Sequence, residues 1–186
     1  ELARNLCASY GAAMFASELV HRRLRDIYVI SFHDPRSASL PRVHEKRLET
    51  NRLSMGQVLE LARQYLPAVM ADEVSMAVEK RNHLAHHFWW DERGTVGTRQ
   101  GREDLIAMLT KAREEFDRVG ATLRLHYRSI LVARGLPEVV IDQHEAPWDE
   151  LGKPDPLPSR RLPRKSSSWE ATSRVVTLAA TDCPCS

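Results

Sequence analysis

The sequence predicts an all-α protein: an antiparallel bundle of four to five helices over residues 1–145, followed by a mostly irregular tail over 146–186. Three observations predict it. Apolar residues recur at spacings of three and four over long stretches, the repeat of one helix face. Proline and glycine punctuate those stretches where one helix should give way to the next. From Ala146 onward the composition shifts, with half of the prolines between Pro154 and Pro184 and a basic, serine-rich run after Arg160.

Leu2, Leu6, Tyr10, Ala13, Ser17, Val20, Leu24 and Ile27 predict one long helix ending near Phe32. Gly11, beside Ala12 and Ala13, makes a small-residue patch where another helix could approach. Asp34-Pro35 ends this helix, because proline disfavours the α conformation in the residue before it. A loop is expected to Pro41, then a short helix or ordered connection over Val43–Thr50. Ser54 and Gln57 form a capping-box pair for a further helix, whose expected packing residues are Val58, Leu61, Ala62 and Tyr65. Pro67 breaks it, and the next helix runs from Ala68 to Trp90, packing through Val69, Met70, Val74, Ala77, Val78, Leu84 and Ala85. Gly94 and Gly97 mark a loop. The last long helix runs from about Arg102 to Ala133, with a seam of Leu105, Leu109, Ala112, Phe116, Val119, Leu123, Tyr127 and Ile130. Gly120 offers a close crossing, Gly135 closes the helix, and Leu136-Pro137 opens a short helix through Val139, Val140 and Ile141.

The 186 residues are 42% hydrophobic, enough for a core, and 28% charged with a net charge of +2. So balanced a charge neither demands nor forbids a nucleic-acid partner. Cys7, Cys183 and Cys185 are an odd set with no disulfide framework, and two thiolates do not complete a zinc site. No long apolar run is free of charges, and no basic stretch precedes an apolar core at the N-terminus. The expectation is a soluble cytoplasmic protein with no membrane partner.

Chemistry concentrates in Arg81-Asn82-His83-Leu84-Ala85-His86-His87-Phe88-Trp89-Trp90. At about 100° per residue, Asn82 and His86 share a face, while Arg81 lies about 140° from His86. Histidine titrates near neutrality and can act as acid or base. Arginine can hold a phosphate bidentately. Trp89 and Trp90 could stack bases or seal an interface. The bland alternative is a structural hydrogen-bonded pair of Asn82 with His86, and an Arg81 that bridges to an acid. A metal alternative uses His83 and His87 with help from Asp91, His126 or Glu18, although His83 and Asp91, eight residues apart, should be separated by about 12 Å along a continuous helix.

Arg81, a polar residue and His86 after three spacers resemble the motif of the HEPN superfamily. Tyr10-Gly11 with Glu18, and Met55-Gly56-Gln57 before a leucine-rich helix, are similar to small bacterial HEPN-like proteins. The resemblance covers Leu2 to about Ala133. It implies a helical bundle that dimerises with the motifs of two protomers in one cleft, and a metal-independent endoribonuclease of a toxin or defence type. In that reading Arg81, Asn82 and His86 are catalytic, and Arg81, His87 and Trp89 bind substrate. RNA and a cognate antitoxin protein are the implied partners, with no cofactor or bound metal. Other members of the family only bind nucleotides or proteins. Some carry a tyrosine two residues after the motif histidine, where a nucleotidyltransferase modifies it. Phe88 stands there in this chain and offers no hydroxyl.

Overall fold

A computed structural model describes residues 1–33, 40–139 and 141–142, and among them the protein is all α-helical. The expected tail from 146, with Cys183 and Cys185, the proline-terminated break at Asp34-Pro35 and the basic cluster at Arg160 to Lys165 lie outside the described residues. Six α-helices are described: α1 (Leu2–Phe32), α2 (Leu40–Thr50), α3 (Met55–Ala62), α4 (Ala68–His86), α5 (Phe88–Asp91) and α6 (Arg99–Ala133). They belong to one compact unit, Glu1–Glu145. Helix α2 begins at Leu40, inside the stretch read as loop.

The two long helices α1 and α6 form the spine. They run in the same direction: Gly120 faces Val20, the Arg23 guanidinium lies over the Tyr127 ring, and Arg134 donates to the carbonyls of Ser31 and His33. Helix α4 returns antiparallel to both. Against α6, Glu73 pairs with Arg118 at 3.2 Å and Lys80 with Glu115, while His126 meets the Tyr65 carbonyl at 2.8 Å just before α4 begins. Against α1, Tyr10 meets the far end of α4 and Tyr28 meets Tyr65 near its start.

The core follows the seam closely. Leu6, Ala13, Val20, Leu24 and Ile27 of α1 are buried with Leu105, Leu109, Phe116, Val119 and Leu123 of α6. Each fully buried Val, Leu, Ile or Phe among them contributes about 1.5–3 kcal/mol. At the end of α6 the buried position is Leu131, one residue past the expected Ile130. In α3 Leu61, an expected packing residue, is exposed, and Leu59 is buried in its place, because Leu59 lies on the face of Met55, Val58 and Ala62. Val69, read as a packing residue, is 75% exposed: it sits in the first turn of α4, on the side away from Ala71 and Val74.

Local signals mostly set the ends. The Ser54 hydroxyl accepts from the Gln57 amide, and the Gln57 side chain accepts from the Ser54 amide, completing the capping box. Gly135 has φ +83°, while its amide bonds to Val132 and the Leu136 amide to Leu131. This is a Schellman ending, in which glycine takes the left-handed position without a Cβ clash. Gly11 is exposed with no neighbour against it, and a Cβ at Gly120 would meet Val20 at an ordinary 3.8 Å. Neither is the close crossing that the small residues suggested. Such a position exists elsewhere: at Gly101 a Cβ would collide with the Thr95 carbonyl.

Candidate functional site at the end of α4

The run read as a single helix to Trp90 breaks at His87. The last four carbonyls of a helix lack intrahelical partners. Here the Tyr10 hydroxyl of α1 donates to the Leu84 carbonyl at 3.1 Å. Phe88 is fully buried, stacked on Tyr10 with ring centroids 5.4 Å apart. Trp89 packs on Tyr10 at 5.1 Å and edge-on to Phe88 at 4.8 Å. The chain turns at His87 to seat these rings, then forms the single turn α5. Tyr10 therefore both closes α4 and supports the corner beyond it.

Arg81, Asn82, His86, His87 and Trp89 all lie in this last stretch, and none is buried. Arg81 is half-buried and donates to the side-chain oxygen Oδ1 of Asn82 at 3.2 Å. Asn82 and His86 are exposed, as their shared face predicts, and no hydrogen bond joins them. His86 touches His87 edge-on at 6.5 Å between rings, and among the described residues it has no side-chain hydrogen bond. The buried structural pair of Asn82 with His86 is thus not the arrangement found. Trp90 is 72% exposed and Trp89 42%, so both present ring surface to solvent.

The break also changes the metal geometry. Asp91 comes to 3.9 Å from His83 instead of lying about 12 Å along a continuous helix, because the helix breaks at His87 between them. His83 and His87 stack nearly parallel at 6.2 Å. The other donors considered are committed elsewhere: His126 to the Tyr65 carbonyl, and Glu18 to Arg25 and His21. Among the described residues no three His, Cys, Asp or Glu side chains converge as metal donors.

A second polar group was not singled out in the sequence. His21 of α1 is only 8% exposed, with Nδ1 facing the Glu18 carboxylate at 3.5 Å. The other Glu18 oxygen accepts from Arg25 at 3.1 Å, and Arg25 also donates to Asn51 at 2.9 Å. Burial pushes His21 below the ordinary histidine value. The Arg25 charge adds to that, Glu18 opposes it, and Arg81 lowers it further across the α1–α4 seam. Only the three- and four-residue spacing of Ser17, His21 and Leu24 along the buried face could have flagged it.

A groove of about 470 Å³ lies between α4 and α6. Ala77, Phe116 and Val119 line its floor, and Met76, Lys80, His83 and Glu115 its sides. His83 therefore faces the groove, while Arg81 acts on the opposite, α1 side of the same helix. No family model matches the chain, and neither a curated protein nor a solved structure matches it.

Proposed function

We propose that the protein is a HEPN-like, metal-independent endoribonuclease that acts as a homodimer, with Arg81, Asn82 and His86 as its catalytic set. One observation carries this reading. The histidine of the motif stands open to solvent on the face it shares with Asn82, one turn from exposed tryptophans and within two turns of Arg81, instead of being spent on internal hydrogen bonds. A structural pair of Asn82 with His86 would be buried and hydrogen-bonded, and both side chains stand in solvent.

The reaction this set would perform uses the ribose 2′-hydroxyl as nucleophile. The 2′-oxygen attacks phosphorus and its proton passes to His86. The bond from phosphorus to the 5′-oxygen breaks, and the partner's His86 protonates that leaving oxygen. Arg81 holds the phosphate and offsets charge in the transition state. His87 and Trp89 bind the flanking nucleotides, Trp89 by stacking.

Dimerisation is supported by Val69 and Met76, one heptad apart on α4 and 75% and 61% exposed. Two exposed apolar side chains in a row along one helix face are surface that a second copy can cover. The same row also favours a second reading, a non-catalytic interaction module on this scaffold. One assay separates the two. Incubated with tRNA and mRNA in EDTA, wild-type protein should cleave, and His86→Ala should lose about 100-fold or more in rate. Equal rates in the two proteins, or no cleavage by either, would remove the nuclease reading. Met76→Glu should convert the dimer to monomer in light scattering.

A further inference from the structure

We propose that His83, His87 and Asp91 form a surface site for a borderline divalent metal ion, zinc above all, which the break at His87 assembles. His83 lies in the last turn of α4 and His87 caps it, so the two stand four residues apart on neighbouring turns of one face. Their rings lie within 22° of parallel, with centroids 6.2 Å apart. A continuous helix would carry Asp91 about 12 Å from His83. The break brings its Oδ2 to 3.9 Å from the His83 Nδ1 instead. All three side chains are exposed, and they stand at a helix C-terminus, whose partial negative charge favours a cation. Lys80, which lines the groove with His83, is offset by its pair Glu115.

Zinc holds a histidine nitrogen at about 2.0–2.1 Å and a carboxylate oxygen at about 2.0–2.2 Å. Two such bonds span at most about 4.3 Å, so the His83 Nδ1 and the Asp91 Oδ2, 3.9 Å apart, both reach one ion, and a tetrahedral angle needs them only about 0.5 Å closer. The three side chains do not yet surround a common point, and His87 is the one that has to turn its ring. Its side chain holds no hydrogen bond among the described residues, so the turn breaks none. Two imidazoles and one carboxylate, with a position left for water, suit zinc and its neighbours and not magnesium or calcium. The site does not depend on the nuclease reading, but it has a consequence within it. The His86 ring meets that of His87 edge-on at 6.5 Å, so an ion on His87 takes away a substrate-binding group and crowds the motif histidine. A reaction that needs no metal would then be inhibited by one.

The test uses the whole chain without a histidine tag and without RNA. Zinc chloride is titrated in by calorimetry, and the histidine ring C–H resonances are followed by NMR. The wild type should take up zinc with shifts at His83 and His87 and none at His44, an exposed histidine of α2. His83→Ala and His87→Ala should each weaken binding about tenfold or more, and Asp91→Asn about tenfold, at least the loss seen for groups one step further from a metal. All three positions are exposed, so the variants keep the fold. Thiolates also take zinc, so Cys183→Ser with Cys185→Ser is titrated too and should keep the histidine shifts. Binding unchanged in both histidine variants would overturn the proposal. So would loss of the histidine shifts in the cysteine variant, or no uptake by the wild type. RNA cleavage is measured apart, first in EDTA and then with zinc in excess, which should slow the wild type and not His83→Ala. A protein that binds zinc at His83 and His87 but cleaves nothing keeps the site and loses the nuclease. One that cleaves in EDTA and takes up no zinc loses the site alone.

Discussion

Helix α6 and the end of α4 obey the same helical repeat, yet they spend their residues differently. Along α6, Leu105, Leu109, Ala112, Phe116, Val119, Leu123 and Tyr127 are all buried, and nearly every polar residue faces outward. Between Arg81 and Asp91 only Leu84 and Phe88 are buried, while three histidines and two tryptophans stay exposed. Packing explains the seam of α6, although Leu125 and Val132 remain exposed on its outer face. It explains only the two anchors of the other segment, which Tyr10 holds in place. Residues that a fold does not need for its own stability are the ones free to serve something else.

That contrast can be broken by comparing stabilities. Phe116→Ala should cost about 3–5 kcal/mol, since it empties a buried aromatic position at the centre of the bundle. Trp90→Ala, at a larger but exposed side chain, should stay within about 0.5 kcal/mol. Urea denaturation of the two variants checks both. A large loss at Trp90 would mean that the end of α4 is packed, and the separation between the regions would collapse.

Smaller effects belong to the joints between the two regions. Gly101 opens α6 directly against the Thr95 carbonyl, so Gly101→Ala must push the Thr95–Gly97 turn aside. The expected loss is about 1–3 kcal/mol, the range for overpacking, read as a lowered urea midpoint. A neutral result would place slack in that turn. Ser54→Ala removes half of the capping box of α3 and should cost about 1 kcal/mol. Ser54→Asp, which keeps an acceptor at the cap, should recover most of it.

The sequence makes the regular parts legible and hides the places where tertiary contacts override the period. The seam of α6, the capping box at Ser54 and the glycine ending at Gly135 depend on local spacing and local chemistry, so they can be read in order along the chain. The break at His87 depends on Tyr10, 77 positions earlier, and no local signal announces it. For the same reason Asp91 meets His83, a pairing that a straight helix forbids. Gly101 matters through Thr95, whereas the more conspicuous Gly11 touches nothing. The candidate residues Arg81, Asn82 and His86 were visible as a pattern. What could not be read was that Arg81 acts on α1 while His86 stands in solvent.

The smallest expected effect sits between the two regions, at His21. Burial, then the Arg25 charge, lowers its proton affinity in the folded protein below the ordinary value of 6.5, and the unfolded chain has no such penalty. Between those two values the unfolded state binds more protons than the folded one. Stability contributed by neutral His21 is therefore fully present above about pH 6.5 and is lost as pH falls from there through the folded-state value. The slope is less than one proton's worth per pH unit, and near neutrality only a fraction of that. Urea midpoints measured from pH 7.5 down to 5.5 should decline for the wild type. In His21→Gln, which cannot take up a proton, the decline should be shallower. Parallel curves would assign the acid sensitivity to other groups.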